Sequence, residues 1–286
     1  MTFDLSAGSH NSFSSYLDKD GDLGPDVSRL IRDLAKVFGP TVKDIVQRWS
    51  TTQTLSITQQ LESGIRYFDF RIAKKPKCDD VFLLHGLYGH KVETELAAIR
   101  SFLKDHPKEV VLIDCNHFYS MTEFDHKQCL SMFLEVLGDI MCPVLDMDSV
   151  NLETMWQNEL QVLVFYHCDV THEYLQFWPG SLIPSPWADT DKGAKLIRFL
   201  DQNYGKRRDK GAFYVSQGVL TPNDTYVVAN LTKSLKECLC APFAPHFTEW
   251  LKPKQAGQEY VNICLFDFVE MAQYIPIVVA LNKGHV

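Results

Sequence analysis

The stretch Ile65-Arg66-Tyr67-Phe68-Asp69-Phe70-Arg71-Ile72 decides the fold of this 286-residue chain. It is short and dominated by β-branched and aromatic residues, and polar residues flank it, which is typical of a β-strand. Side chains alternate between the two faces of a strand, so Asp69 and Arg71 point to the same face near its end. The stretch therefore predicts a strand that presents a carboxylate and a guanidinium on one side of a sheet.

Runs of the same kind recur along the chain and alternate with segments of helical periodicity. Five more strands are predicted at residues 81–84, 110–114, 161–166, 212–215 and 261–266. Helices are predicted at residues 53–62, 92–105, 123–140, 190–203, 224–238 and 270–281. This alternation predicts an α/β fold with a parallel sheet covered by helices, and closure of the sheet gives a TIM-type barrel. We expect residues 1–286 to form one barrel domain.

The composition is that of an ordinary globular protein, with 45% apolar and 22% charged residues, and argues against extensive disorder. The eight cysteines lack the paired spacing of a metal site, and we expect them to be buried, reduced thiols in a reducing compartment. The longest apolar runs, 110–113 and 275–281, fall short of the ~20 residues of a membrane-spanning helix.

The start of the chain has no basic patch followed by an apolar core, so no secretory signal is expected and the protein is placed in the cytoplasm. Few residues precede His10, so there is little room for a strand before it, and we expect the start of the chain to be shortened. The formal net charge of −8 gives little attraction to an anionic membrane and makes nucleic acid an unexpected partner. The basic cluster 206–210 is expected to be a solvated loop or helix end.

Three short stretches in the first third of the chain supply two histidines, a carboxylate and an arginine: Gly8-Ser9-His10-Asn11-Ser12, Arg66-Tyr67-Phe68-Asp69-Phe70-Arg71 and Leu84-His85-Gly86. Cleavage of a phosphodiester needs such a set. One imidazole takes a proton from the attacking hydroxyl, a second protonates the leaving oxygen, and the guanidinium stabilises charge on the phosphoryl oxygens.

In this order the stretches resemble the X-domain of phosphatidylinositol-specific phospholipase C, above all that of the small eukaryotic PI-PLC X-domain-containing proteins. The resemblance covers nearly the whole chain, because further blocks keep the same order and spacing: Asp114-Cys115-Asn116-His117-Phe118-Tyr119, Val164-Phe165-Tyr166-His167, Pro186-Trp187-Ala188-Asp189-Thr190, Ser216-Gln217, Leu220-Thr221-Pro222 and Asp267-Phe268-Val269-Glu270. It implies a single distorted TIM-type barrel.

By this resemblance His10 is the general base that deprotonates the inositol 2-hydroxyl, and Asp267 hydrogen-bonds its imidazole. His85 is the general acid that protonates the glycerol oxygen as it leaves. The alternative for His85 is a structural histidine that ends a buried strand and bonds the backbone.

Arg71 distinguishes two branches of the family. The animal calcium-dependent enzymes carry an acidic metal ligand at this position, whereas the bacterial enzymes have an arginine that replaces the metal. The resemblance to the bacterial pattern implies catalysis with no metal and no cofactor. Asp69 would orient Arg71 or form a plain structural ion pair with it. Asn11 follows the animal pattern, where asparagine binds the metal, and in a metal-free site its amide can orient Arg71 or a phosphate oxygen.

Five residues of the further blocks are expected to line the mouth of the barrel and bind substrate, because inositol offers hydroxyls to polar groups and a flat face to an aromatic ring. These are Asn116, His117, Trp187, Asp189 and Gln217; Trp187 could instead be core. The Pro/Gly-rich segment 178–187 is expected to fold over the mouth rather than to act as a linker, since it contains two tryptophans.

The resemblance implies a phosphodiesterase of lipid degradation and signalling that converts phosphatidylinositol, or its phosphorylated forms, to diacylglycerol and an inositol phosphate. We expect a cytoplasmic monomer in transient contact with membranes. Two alternatives stay open. One is a phosphodiesterase for a soluble glycerophosphodiester, and the other is an idle module that binds inositol lipid headgroups.

Overall fold

A computed structural model describes residues 5–204, 211–257 and 260–283. The basic cluster 206–210 lies outside these residues. The strands are β1 (Ser6–Ser9), β2 (Tyr67–Lys74), β3 (Val81–His85), β4 (Leu87–Lys91), β5 (Val111–Tyr119), β6 (Val162–Tyr166), β7 (Phe177–Trp178), β8 (Val215–Gly218) and β9 (Ile263–Phe266). The helices are α1 (Arg29–Ser50), α2 (Ile57–Ser63), α3 (Val92–Asp105), α4 (Glu123–Leu137), α5 (Leu152–Gln157), α6 (Gly193–Tyr204), α7 (Asp224–Ala229), α8 (Ala241–Leu251) and α9 (Tyr274–Asn282).

Seven strands form one parallel sheet in the order β7-β6-β5-β2-β1-β9-β8. The antiparallel strands β3 and β4 extend from β2 as a hairpin. The segment that follows β7 runs alongside the start of β8, where the N–H groups of Phe213 and Val215 donate to the carbonyls of Leu182 and Pro184, at 2.9 and 3.0 Å. The sheet is therefore curled into a barrel with helices outside, and the predicted α/β class is confirmed.

Strand alternation separates the interior of the curled sheet from the layer beneath the helices. On β2, Tyr67 belongs to the interior apolar cluster and Phe68 and Phe70 to the outer one. The interior positions become polar toward the carboxyl ends of the strands, as at Asp69 and Arg71. Since the strands are parallel, these polar ends meet at one mouth of the barrel.

Helix α1 was not predicted from the sequence. Its 22 residues are kinked at Gly39-Pro40, where Gly39 has a non-helical backbone, and this pair obscures a continuous pattern. The half after the kink packs Val46 and Trp49 against the core. The half before the kink leaves apolar side chains in solvent: Leu30, Leu34, Val37 and Phe38.

The predicted helix 224–238 is two elements. Helix α7 stops at Ala229, and reciprocal hydrogen bonds between Ser234 and Glu237 start a new helix. That helix opens with one π-helical turn, Lys236–Cys240, before α8. The predicted helix 53–62 starts only at Ile57, where Ser56 and Gln59 form a capping box.

Two smaller expectations concern the cysteines and the membrane. All eight cysteines are free, and five of them are buried. Within residues 5–204, 211–257 and 260–283, no helix has both the length and the apolar character needed to cross a bilayer.

Candidate active site

A cavity of about 530 Å³ lies at the mouth of the barrel and collects polar side chains from the ends of several strands. Its depth is set by the apolar interior beneath, where Tyr67 and Leu265 form part of the floor. Most of the residues predicted from the sequence line it: His10, Asp69, Arg71, His85, Asn116, His117, Trp187 and Gln217.

His10 follows β1, and its imidazole is fixed at both nitrogens. Nδ1 lies 2.7 Å from a carboxylate oxygen of Asp267, which follows β9. Nε2 lies 3.3 Å from Nη2 of Arg71 and 3.2 Å from Nδ2 of Asn11. The carboxylate can only accept and the other two groups can only donate. The neutral ring therefore carries its proton on Nδ1, and the lone pair of Nε2 faces the cavity.

Asp69 and Arg71 lie on the interior face of β2. Burial alone would raise the pKa of the Asp69 carboxyl, but the positive charge of Arg71, that of the His10 ring when it is protonated, and the hydrogen bonds that the carboxylate accepts hold its pKa below the usual value. Its two oxygens accept from the backbone N–H of Asn11 at 2.8 Å and from Nδ2 of Asn116 at 2.7 Å. Asp69 is thus an anion that fixes the turn after β1.

Arg71 places its guanidinium in the cavity beside His10. Its Nε is buried and has no hydrogen-bond partner among the described residues, while one Nη atom contacts His10. A buried donor without a partner is unfavourable until an acceptor arrives. An anion in the cavity would supply that acceptor.

Asn11 is fully buried and has a left-handed backbone, with φ of 40°. Its Oδ1 has no hydrogen-bond partner within the described part of the chain. Asparagine tolerates this backbone better than most residues, so the residue type suits the turn as well as the site.

His85 ends β3, and its ring centroid lies 6.1 Å from that of His10. Nδ1 donates to the carbonyl of Ser50 at 2.7 Å, which leaves Nε2 for the cavity. Burial, followed by the charges of Arg71 and His10, lowers the pKa of His85 to about 3. His85 is therefore a neutral imidazole in the free protein. Its one N–H proton is on Nδ1, so Nε2 has no proton to donate into the cavity.

The four residues at the end of the kinked helix and just after it, 50–53, hold both histidines. Besides the Ser50–His85 bond, Thr52 Oγ1 and Gln53 Nε2 donate to the carbonyl of His10, at 2.8 and 3.0 Å. No pattern in the sequence signals this anchoring role, because none of these residues carries chemistry of its own.

The expected wall residues divide into those that line the cavity and one that does not. Trp187, in the segment that forms the rim, donates from Nε1 to Thr221, and Gln217 on β8 donates to the carbonyl of Ser185 in that segment. That segment contributes Pro184 and Ser185 to the cavity as well, in agreement with the expected loop over the mouth. Asp189 is exposed, with φ of 42°, and is not among the described residues that line the cavity.

A second Asp–His pair was not predicted from the sequence. Nε2 of His167, which lines the cavity, lies 2.7 Å from a carboxylate oxygen of Asp114, and Tyr67 donates from its hydroxyl to the other oxygen, also at 2.7 Å. Both residues lie in blocks already singled out, but 53 positions apart. Only the pairing of β5 with β6 brings them together.

Asp26 is another residue that was missed. Its carboxylate accepts from the backbone N–H of Gly86 at 2.7 Å, immediately after His85. Gly86 has a φ of 68°, and a Cβ there would lie 2.2 Å from Oγ of Ser50, so glycine is required. Asp26 and Gly86 together fix the position of His85 at the end of β3.

Cys240, in the π-helical turn, contacts the second oxygen of Asp267, with its sulfur 3.5 Å away. Burial and the neighbouring carboxylate raise the pKa of this thiol well above its usual value, so it stays protonated and donates.

Within the described residues no group of three or more His, Cys, Asp or Glu side chains is arranged to hold a metal ion. Calcium would also have to lie beside the Arg71 guanidinium, so the residues at this mouth do not fit the calcium site of the animal enzymes.

Comparison with known proteins gives close relatives in sequence. The chain is 41% identical over 277 residues to PI-PLC X domain-containing protein 3 of Mus musculus, a match that covers 96% of this chain and 86% of that protein. PI-PLC X domain-containing protein 2 of Mus musculus is 40% identical, with 96% and 81% covered. PI-PLC X domain-containing protein 1 of Mus musculus is 33% identical over 281 residues, with 96% and 80% covered. No family model matches the chain.

Two solved bacterial structures share this architecture. Phosphatidylinositol-specific phospholipase C from Listeria monocytogenes superposes with a TM-score of 0.62 at 16% identity, covering 97% of this chain and 92% of that one. A mutant of the enzyme from Staphylococcus aureus gives 0.64 at 14% identity, covering 96% and 91%. At these identities the likeness shows the fold alone, which is the TIM-type barrel expected from the sequence.

Proposed function

The chain belongs to the PI-PLC X domain-containing protein family, and we propose that it is a phosphodiesterase of the phospholipase C type. The substrate is phosphatidylinositol or a related inositol phospholipid, and the products are diacylglycerol and an inositol phosphate. We propose further that residues 1–286 act as one catalytic unit, since His10 and Asp267, which directly follow the first and last strands, pair at the site.

One observation carries this proposal. His85 and Arg71 lie on two separate strands and His10 directly follows a third, and all three line one cavity, with His10 in contact with Arg71 and 6.1 Å from His85 between ring centroids. Two proton carriers and a fixed cation around one space are what displacement at a phosphodiester requires.

In the proposed reaction Nε2 of His10 removes the proton of the inositol 2-hydroxyl. The resulting oxygen attacks phosphorus and forms the cyclic 1,2-diester, while the bond from phosphorus to the glycerol oxygen breaks and that oxygen takes a proton from His85. Asp267 stabilises the imidazolium that forms at His10. The nucleophile belongs to the substrate, so its proximity to phosphorus supplies much of the acceleration.

Arg71 binds the phosphoryl oxygens in this scheme, and no metal takes part. Two of its N–H groups can pair with two oxygens at once. The bound phosphodiester also bears a negative charge close to His85. The positive charge of the Arg71 guanidinium is one of the causes of the low pKa of His85. The negative charge of the bound phosphodiester offsets it and so favours the protonated imidazole that the acid step needs.

Contact with a membrane is supported by the half of α1 that precedes the kink. It exposes four large apolar side chains, and residues 29–38 include three cations and one acid, in contrast to the net negative charge of the whole chain. A groove of about 290 Å³ is lined by His10 and His85, by polar and acidic residues, and by apolar residues that include four from α1: Ile31, Ile45, Val46 and Trp49. We propose that diacylglycerol occupies this groove while α1 rests on the lipid surface.

A second candidate is favoured by one observation, the low pKa of His85 in the free protein. A module that binds inositol headgroups without cleaving them needs no protonated acid. Retention of the Asp267–His10 pair favours the enzyme instead, because a binding module has no use for an oriented base.

The test measures release of water-soluble inositol phosphate from vesicles of labelled phosphatidylinositol, with and without a metal chelator. His10→Ala and Arg71→Ala serve as inactive variants, and soluble glycerophosphoinositol is offered in parallel. We expect wild-type release that resists the chelator and is lost in both variants.

Wild-type release no greater than that of the variants would contradict the enzyme and leave the binding module. Loss of activity with chelator would contradict the metal-free mechanism. Faster cleavage of the soluble diester than of the vesicles would favour the soluble-substrate alternative.

A further inference from the structure

We infer that Cys240 is a positioning residue for the proposed general base, because its thiol holds the oxygen of Asp267 that does not contact His10. The inference rests on the proposed function and adds one residue to its proton-transfer groups. Three features carry it: the separate partners of the two Asp267 oxygens, the π-helical turn that places the thiol, and the contacts that fix this turn beside the end of β9.

The two oxygens of the Asp267 carboxylate have different partners. Oδ1 lies 2.7 Å from Nδ1 of His10, and Oδ2 lies 3.5 Å from Sγ of Cys240. Within residues 5–204, 211–257 and 260–283, Oδ2 accepts no other hydrogen bond. Both side chains are buried, with Asp267 2% and Cys240 3% exposed. Without the thiol, Oδ2 would be a buried, charged acceptor with no partner, which is unfavourable.

A thiol suits this position because it is a weak hydrogen-bond donor. It restrains rotation of the Asp267 carboxylate, yet it leaves most of the negative charge for the imidazolium that forms at His10. The thiol also remains a donor, since burial and then the charge of Asp267 raise the pKa of Cys240. Cys240 would therefore orient the carboxylate without weakening it as a partner of His10.

The position of the thiol is set by the π-helical turn Lys236–Cys240. The N–H of Ala241 donates to the carbonyl of Lys236, five residues earlier, so the turn contains one residue more than an α-helical turn. Turns of this kind within helices are frequent at functional sites. Cys240 is the last residue of the turn and is buried against Asp267, whereas Cys238 is partly exposed and borders a groove of about 600 Å³.

The turn and the helix that follows it are fixed on both sides of Asp267. Lys236, at the start of the turn, pairs with Glu270 at 2.8 Å. Further along, Phe247 of α8 stacks on Phe266 of β9, with ring centroids 4.9 Å apart. The thiol is thus held at a set position relative to the carboxylate, which is what a positioning role requires.

The experiment compares Cys240→Ala and Cys240→Ser with Cys264→Ala as the matched control. Cys264 is fully buried on β9, three residues before Asp267, and its thiol has no hydrogen-bond partner among the described residues. The two alanine variants therefore remove the same buried group, but only one of them removes a hydrogen bond to Asp267. Urea unfolding of both measures the loss of stability that is common to them.

The first readout is the rate of inositol phosphate release from phosphatidylinositol vesicles. We expect Cys240→Ala to lower kcat by about tenfold, for the loss of one hydrogen bond to a charged group. KM should not change, because the thiol does not line the cavity. Cys240→Ser should recover part of this loss, since its hydroxyl can donate only after the carboxylate turns toward it. Cys264→Ala should keep the kcat of the wild type.

The second readout needs no catalysis. A proton shared between a histidine nitrogen and a carboxylate gives a resonance far downfield in ¹H–¹⁵N spectra of protein with labelled histidine rings. We expect the Nδ1 proton of His10 to give this resonance in the wild type and in Cys264→Ala. In Cys240→Ala it should move upfield or disappear, because the carboxylate is no longer held in the plane of the ring.

An unchanged kcat or an unchanged His10 resonance in Cys240→Ala would overturn the inference. Equal loss of kcat in Cys264→Ala would also overturn it, since the effect would then be one of packing, as would a serine variant no more active than the alanine variant. If the wild type cleaves no lipid, the proposed function fails, and the His10 resonance still decides whether Cys240 positions Asp267.

Discussion

Nδ1 of His10 lies 2.7 Å from a carboxylate oxygen of Asp267, although 257 positions separate the two residues in the chain. The contact exists because β1 and β9 are neighbours in the sheet and Asp267 follows the end of β9. It fixes the tautomer of His10, and it makes the proton-accepting nitrogen the one that faces the cavity.

Asp267→Asn should lower kcat by about 10²–10⁴-fold, because an amide neither enforces the tautomer of His10 nor stabilises the imidazolium. The measurement is the initial rate of inositol phosphate release from vesicles across pH. Asp139→Asn, which alters an exposed carboxylate paired with Arg100, is the control and should keep wild-type activity. A variant at 267 with near-normal kcat would show that His10 does not act through this carboxylate.

The low pKa of His85 should make the fold sensitive to acid. In the unfolded chain His85 binds a proton below about pH 6.5, whereas in the folded chain it stays neutral until about pH 3. The free energy of unfolding should therefore fall with decreasing pH in this window, by up to about 1.4 kcal/mol per pH unit from this residue. Urea unfolding at pH 4 to 7 should show a shallower pH slope for His85→Gln than for the wild type, and equal slopes would contradict the assignment.

Arg71→Lys should lower kcat/KM by about 10²–10³-fold, since an ammonium cannot pair with two phosphoryl oxygens in a fixed plane. The control is Arg66→Lys, at an arginine that pairs with Glu109 and backbone carbonyls and does not line the cavity. Comparable losses in both variants would point to a general effect on the fold.

The double variant Leu34→Glu with Phe38→Glu should lower sedimentation with anionic vesicles by at least tenfold, because two apolar side chains that enter the lipid interface would become charged. Its cleavage of soluble glycerophosphoinositol, if the wild type cleaves it, should be unchanged. Phe124→Glu with Leu175→Glu changes two similarly exposed apolar residues outside α1 and serves as the control. Equal loss in the two double variants would exclude α1 as the specific contact.

Gly8→Ala should destabilise the fold by at least about 1–3 kcal/mol, the usual cost of overpacking. A Cβ at this position would lie 2.7 Å from Cδ1 of Tyr67 and 2.8 Å from the backbone carbonyl of Cys264, and the carbonyl cannot move without the sheet. Chemical denaturation measures the change. Gly138→Ala, where the nearest atom would be 3.8 Å away, should be nearly neutral.

The site residues that were predictable from the sequence share one property: each has a chemically active side chain and lies in a short motif. Strand alternation was enough to put Asp69 and Arg71 on one face, and the family resemblance that the ordered motifs carry implied that His10 and His85 act at the same mouth. The buried strands β5, β6 and β9 were also predictable, because short runs of β-branched and aromatic residues between polar segments are typical of strands.

The parts that were missed depend on contacts between distant segments. The Asp114–His167 pair requires the register of β5 with β6, and the hydrogen bond from Gly86 to Asp26 requires the position of a loop. Helix α1 was missed because a Gly-Pro pair interrupts it. Asp189 was expected at the cavity from its motif, yet its backbone is left-handed and its side chain is exposed to solvent.

The four-residue segment 50–53 supports both catalytic histidines. Its first residue accepts a hydrogen bond from the ring of His85, and its last two residues donate hydrogen bonds to the carbonyl of His10. A shift of this segment would carry both proton carriers in step and leave their separation almost unchanged. The segment is also continuous with the end of α1, so a force applied to that helix from outside would displace acid and base together rather than pull them apart.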